Sequence, residues 1–418
     1  MKRRLLWIGV ALAVLSAGAV AGENGGAPGR GPVTEPDGGA AVPRAKRLES
    51  RQEYWTEDRY RRVKPMPLPK ADATGPQTLR GESAEGEEAP DAAPDAAPDR
   101  PGGSGAGQPP ALEKPALESL EKRLRAPAGS RSDFIERNPD RSDAAGSLAE
   151  QRAGSSAVAL DAGFRRAYFT SQSLVPLEAD RSYPYSTVGV LFFRIPGEGG
   201  FACSGAVIAP RLVLTAGHCA HSGSGDESGW YTDFEFVPAY RDGAAPYSTW
   251  TGTAAFTTTP WYNGKDRVPN AADYALIEMR DQTIDGIPRK IGEAVGYLGY
   301  QTDRLLPNHA HLLGYPVAFD GGERMHQVTA QSFREFGENT VVYGSDMTEG
   351  SSGGPWVMNF GPVAGGQAGF TEPARNQVIG VTSYGYSAAI PIQGSSTLDA
   401  NFVSLLSGAC AHQAGNCP

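Results

Sequence analysis

From about residue 165 onward the chain predicts an all-β fold, and three observations carry that expectation. Short apolar runs at 188–195, 205–209, 211–215, 275–279 and 378–384 are rich in Val, Ile, Leu, Phe and Tyr. Gly, Pro, Asn or Asp punctuates most of the gaps between them, as turns between strands require. No long stretch in this part repeats its apolar residues at helical spacing. Many short strands without helical periodicity imply a barrel or a sandwich. About 250 residues suffice for one sizeable core or for two small barrels packed together.

The part before residue 165 has another character. Lys2-Arg3-Arg4, an apolar run from Leu5 to Ala19 and the small residues Ala19-Val20-Ala21 compose an export signal over 1–21. The run is short for a membrane span and no stop-transfer cluster follows it, so no membrane contact is expected after cleavage. Arg3-Arg4 suits either the general or the twin-arginine export route. Residues 22–164 are rich in Pro, Gly, Ala and charge, and no aromatic residue occurs between Arg61 and Asp133. With little apolar area to offset ordering entropy, this region is expected to be largely disordered, as a propeptide or a linker.

One island inside it differs. Residues 53–63 hold Tyr54, Trp55 and Tyr60, with Pro65 and Pro67 just beyond. A short helix is expected there, docking on a partner surface such as the C-terminal domain, as an inhibitory or folding segment. A second helix is expected over 111–125 from the spacing of Leu112, Leu117, Leu120 and Leu124.

Net charge is −9, which argues against nucleic acid or an anionic membrane as partner. The four cysteines, Cys203, Cys219, Cys410 and Cys417, are an even count in a chain with an export signal, which favours disulfides. Four cysteines allow three connectivities, and we expect Cys203 with Cys219 and Cys410 with Cys417. The first bridge would staple the loop that carries His218, a contribution of about 3 kcal/mol in the chain-entropy model. No Cys-x-x-Cys pair is present to suggest zinc.

Three motifs carry chemistry. They are Thr215-Ala216-Gly217-His218-Cys219, then Asp273-Tyr274-Ala275-Leu276-Ile277, then Gly350-Ser351-Ser352-Gly353-Gly354-Pro355. A serine hydroxyl is a weak nucleophile near neutral pH, so it needs an adjacent base held in one tautomer. Ser352 lies in a Gly-rich turn, where backbone N–H groups can converge without obstruction by Cβ atoms. Asp273 opens an apolar strand, whereas its rival Asp266 lies in a polar turn. His221, three residues after His218, is assigned a structural role.

In this order the motifs make residues from about 165 to 418 resemble a trypsin-like, chymotrypsin-fold serine protease, most similar to the bacterial branch that contains the glutamyl endopeptidases. The resemblance implies two packed six-stranded antiparallel β-barrels with the active site between them. It implies hydrolysis of protein or peptide substrates without cofactor or metal, by a secreted and monomeric enzyme. His218 would be general base and acid, Asp273 its orienting partner and Ser352 the nucleophile, with Ser351 excluded by the Gly-x-Ser-Gly-Gly register. The N–H groups of Gly350 and Ser352 would form the oxyanion hole. Ser383-Tyr384-Gly385 would take an extended substrate as an antiparallel strand.

Two departures from the family pattern stand out. Ser351 replaces the aspartate that pairs with a freed N-terminal amine in animal members, and Thr382 replaces the histidine found before Ser-Tyr-Gly in glutamyl endopeptidases. Asp346, six residues before Ser352, matches the aspartate at the base of the trypsin pocket and predicts a preference for Arg or Lys. His309 and His311 are a weak metal pair with no third ligand nearby in sequence, and His326 and His412 read as surface or core residues. The competing reading is a non-catalytic homologue acting as a binding module.

Overall fold

The computed structural model describes residues 43–48, 54–71, 103–124, 167–361, 374–386 and 391–418. All of them belong to one unit spanning 40–418, and the expected export signal at 1–21 lies outside the described residues.

The first barrel uses β1 (Val188–Ile195), β2 (Gly199–Val207), β3 (Leu212–Thr215), β4 (Thr232–Pro238), β5 (Trp250–Thr257) and β6 (Ala275–Met279). Their order is β5-β6-β3-β2-β1-β4, and β4 pairs back onto β5 to close the sheet. Every pairing in this ring is antiparallel. The second barrel uses β7 (His309–Gly314), β8 (His326–Glu335), β9 (Thr340–Gly344), β10 (Pro355–Met358), β11 (Gln377–Val381) and β12 (Ile392–Ser396). Their order is β12-β9-β8-β7-β10-β11. Beyond β11 the chain continues through Thr382 and Ser383 into Tyr384–Gly385, which pairs with β12 and closes the ring.

Side-chain alternation along β1 shows what each barrel face meets. Leu191 and Phe193 are fully buried, and Phe193 stacks on Tyr231 and Phe234. Val190 and Phe192 point to the opposite face, which a half-exposed barrel would leave to polar residues. Here that face is covered by Trp55 and Tyr60, both in edge or tilted contact with Phe192. The run Val188–Phe193 is apolar because both of its faces are buried, and Arg194 follows where burial lessens.

The covering element is the short helix Glu57–Arg61, capped by Thr56, whose hydroxyl accepts from the Arg59 N–H. Trp55 Nε1–H donates to the Asp233 carbonyl at 2.6 Å, and the Tyr60 hydroxyl donates to Glu235. The expected helix over 111–125 is shorter: only Lys114–Glu118 is helical, and Lys122–Arg123 then pairs with Ala244–Ala245. Leu124 is buried at the end of that strand, so the leucine spacing serves packing of a loop rather than a helix face. Arg44–Arg47 adds to β5, and Ser104–Gly105 to Gly299–Gln301. Three stretches of the N-terminal region are thus built onto the two-barrel body.

Cys203 on β2 is bonded to Cys219, and Cys410 in the C-terminal helix Ala400–His412 is bonded to Cys417. The first bridge closes a short loop from the barrel wall to the His218 turn. Replacing Cys203 and Cys219 together by Ser is expected to cost about 3 kcal/mol of stability, read from the shift in the denaturant midpoint.

Two histidines of the second barrel are held neutral. Burial pushes the His326 pKa down to about 4 against weaker opposition from Asp346 and Asp320, and its ring stacks on Phe319 at 4.0 Å. Burial, helped by His309, pushes His311 down to about 4 as well. In the unfolded chain both titrate at the ordinary value of 6.5. The unfolded state therefore takes up protons first as pH falls. The stability these groups contribute is present above about 6.5 and is lost between there and about 4. His326→Gln should narrow the gap between denaturant midpoints measured at pH 7 and pH 4.5. An unchanged gap would mean that other groups set the acid limb.

Candidate active site

β3 and β6 are neighbours with Thr215 opposite Ala275, so the chain just past β3 and the chain just before β6 leave the sheet at the same end. His218 lies three residues past Thr215, in the turn Gly217–Cys219, and Asp273 lies two residues before Ala275. The register alone brings them together. His218 Nδ1 is 2.9 Å from Asp273 Oδ2, and the His218 backbone N–H donates to Oδ1 at 2.9 Å.

Both residues are buried, with Asp273 at 0% exposure. A carboxylate without solvent needs donors around it. Ser383 Oγ supplies a third, donating to Asp273 Oδ2 at 2.6 Å from the second barrel. Asp273 in turn donates its backbone N–H to Ser396 Oγ at 3.0 Å. Because a carboxylate only accepts, His218 donates to it through Nδ1–H. The Trp261 ring packs against His218, with centroids 5.9 Å apart. Asp266 does not hold the ring; burial pushes its carboxyl up, with the His218 and Asp273 charges as smaller effects.

Ser352 stands in the turn before β10. Gly350 and Gly353 have φ values of +88° and +77°, the left-handed region that side chains disfavour. The turn is tied to β2 through Ser204, whose N–H donates to the Ser352 carbonyl and whose hydroxyl donates to the Gly350 carbonyl, both at 2.8 Å. Ser351 is buried at the base of the turn. Its hydroxyl donates to the Thr348 carbonyl at 2.7 Å and accepts from Gln393 Nε2 at 3.0 Å. Ser345 Oγ orients the same Gln393 at 2.8 Å.

Two buried polar atoms here make no hydrogen bond within the protein: His218 Nε2 and Ser352 Oγ. The Gly350 N–H points into the cleft and donates to the Met66 carbonyl at 3.3 Å.

The other expected site residues are placed as follows. Ser383 and Tyr384 are fully buried, Ser383 acting on Asp273, and Gly385 lies at the edge beside Leu68. Asp346 is half-buried on the loop between β9 and the Ser352 turn. His221 is buried, stacked on Tyr262 and bonded to the Gly223 N–H, and burial pushes its pKa down. His412 pairs with Glu278. Among the described residues, Cys203, His218 and Cys219 come close enough to share a metal, but both sulfurs are committed to the disulfide.

Sequence reasoning missed the hydrogen bond from Ser383 to Asp273, the Gln393 support of Ser351, and the segment lying in the cleft. Only the last left a signal, the alternation of Pro65, Pro67 and Pro69.

A histidine held by a carboxylate and a serine in a Gly-rich turn are groups that acyl transfer uses. The chain belongs to the trypsin family, whose model matches residues 179–397, just over half of its length. It is similar to a glutamyl endopeptidase of Bacillus licheniformis, 29% identical over 177 residues, covering 42% of this chain and 49% of that one. It is also 29% identical over 127 residues to an extracellular metalloprotease of Bacillus subtilis, covering 30% of this chain and 36% of that one. The chain thus spans between about a third and a half of the curated relatives it matches. Among solved structures, the protease Anisep from Arthrobacter nicotinovorans is 29% identical, with 58% of this chain and all of that one covered, at a TM-score of 0.46. A Glu endopeptidase structure is 21% identical, with 58% and 97% covered, at a TM-score of 0.44.

Gly353 can test how tightly the Ser352 turn is built. A Cβ there would come within 2.0 Å of Thr215 Oγ1 and 2.5 Å of the Ser204 carbonyl oxygen, at a positive φ. Gly353→Ala is expected to cost more than about 2 kcal/mol in denaturant unfolding. A neutral substitution would show that the turn yields easily.

Proposed function

We propose that this protein is an exported serine endopeptidase working through Ser352, His218 and Asp273. The reading rests on one observation: the buried Asp273 carboxylate holds His218 through Nδ1, while His218 Nε2 and the Ser352 hydroxyl make no hydrogen bond within the protein. The Ser352 oxygen would attack the substrate carbonyl carbon while His218 Nε2 takes its proton. The N–H groups of Gly350 and Ser352 would hold the oxyanion that forms, with one such donor worth roughly 3 kcal/mol at the transition state. His218 would then give its proton to the leaving amine, and the acyl group stays on Ser352. Water, deprotonated by His218, would attack that ester and release the acid with Ser352 restored.

The two disulfides fit an oxidising compartment such as the extracellular space. Asp346 is the group proposed to favour Arg or Lys before the scissile bond. The alternative, a non-catalytic binding homologue, has no need of the buried Asp273–His218 contact, which solvent-separated residues would not keep.

The test is digestion of a diverse peptide mixture by the protein freed of its N-terminal region, with Ser352→Ala in parallel and mass spectrometry of each new terminus. The substitution is expected to lower the rate on the order of a millionfold. New termini after Arg or Lys would assign Asp346 to the pocket, and termini after Glu would remove it. Equal digestion by both proteins would overturn the assignment of Ser352.

A further inference from the structure

We propose that the segment Lys64–Ala71 is a built-in inhibitor that lies across the cleft in the direction opposite to a substrate, and so resists the nucleophile it covers. The inference rests on the endopeptidase reading above and adds its regulation.

The sequence prepares this segment for the task. In Lys64-Pro65-Met66-Pro67-Leu68-Pro69-Lys70 every second residue is proline. Each proline fixes its own φ and pushes the preceding residue toward extended backbone. The segment is therefore extended before it docks, and little chain entropy is lost on binding.

Its course runs from one barrel to the other. Lys64 and Pro65 pair with Phe201 and Ala202 of β2, and the Met66 N–H donates to the Ala202 carbonyl at 2.8 Å. The Met66 carbonyl then takes the Gly350 N–H, a proposed oxyanion donor. Leu68 is only 3% exposed and fills the space beside Gly385, where an added Cβ would meet its Cδ2 at 2.7 Å. The Gly385 N–H donates to the Pro69 carbonyl at 2.9 Å, and the Ala71 N–H donates to the Gly385 carbonyl at 3.0 Å. The Lys70 ammonium lies 3.6 Å from Glu349.

Direction decides the consequence. The pairing of Lys64–Pro65 with β2 is parallel, and so is the bridge of Lys70 to Gly385. A substrate on the Ser383–Gly385 edge is expected to run antiparallel, so the segment enters from the other end. In a reversed chain the nitrogen of each peptide bond follows its carbonyl toward the Gly385 edge, the side a substrate gives to its acyl half. His218 then cannot protonate that nitrogen from the position that serves a substrate. At the Met66 carbonyl the nitrogen is also that of Pro67, a tertiary amide.

The anchor lies just upstream. Trp55 and Tyr60 stack on each other at 5.0 Å and are nearly buried against β1, which keeps the segment at high local concentration over the cleft.

The test compares the full chain with Leu68→Asp and with a variant carrying Pro65→Gly, Pro67→Gly and Pro69→Gly. Two readouts are followed: labelling of Ser352 by a small fluorophosphonate probe, and cleavage of casein. Both variants should label at least tenfold faster than the parent. A synthetic peptide of residues 64–71 should slow the Leu68→Asp variant again and be recovered uncut. Labelling at the parent rate in both variants, or a cut inside 64–71 made by the protein itself, overturns the proposal. Faster labelling without casein cleavage keeps the inhibitor and removes the endopeptidase reading. Casein cleavage by a freely labelled parent does the reverse.

Discussion

The Asp273 carboxylate is the point on which both halves of the molecule converge. It lies at zero exposure, where a carboxyl group left without partners would be very costly. Two of its donors come from the His218 residue of its own barrel and the third from Ser383 of the other. The cost of burial is thus offset only when the two barrels are docked in one arrangement. The same contacts that satisfy the charge also fix the imidazole. Docking and the His218–Asp273 geometry are a single constraint, and the connection from Asp273 through Ser396 to β12 extends it into the second barrel wall.

Much of this was legible in the sequence, and what was not has physical reasons. The apolar runs located β1, β3, β6 and β11 because strand alternation and turn chemistry are local. His218, Asp273 and Ser352 were legible as types in order, each beside a recognisable strand or turn. The role of Ser383 was not, because a hydroxyl 110 residues from Asp273 carries no local mark of the bond it makes. The leucines from 112 to 124 suggested a longer helix than the five residues observed. Leu124 is instead buried just after Lys122–Arg123 pairs with Ala244–Ala245, a tertiary partner that overrides helical spacing. The docking of Tyr54–Arg61 was suggested by its aromatics, but its destination on β1 was written in a different place, the apolar run of Val188–Phe193.

That two-faced strand links the N-terminal region to the site. An uncovered Phe192 face would be an exposed aromatic patch on the barrel. Covering it with Trp55 and Tyr60 places the next ten residues at the mouth of the cleft, where the proline alternation keeps them extended. One set of contacts supplies affinity, and the stiff segment beyond it supplies position. Neither would hold the cleft alone: the segment at the cleft has few side chains buried beyond Leu68 and Ala71, and the helix does not reach Ser352.

The state of the Ser352 turn bears on where control would act. Where an aspartate precedes the nucleophile, its ion pair with a freed amine can order the turn on activation. Here Ser351 is neutral and already bonded on two sides, to Thr348 and to Gln393, while Ser204 fixes the carbonyls of Gly350 and Ser352. The turn therefore needs no incoming charge to complete it. A turn already held by these bonds is more simply kept silent by occupation. The Met66 carbonyl on the Gly350 N–H provides that occupation at the atom where a substrate's developing charge would be held. Removal of the segment, rather than rearrangement of the turn, is then the step that separates the silent chain from the active one.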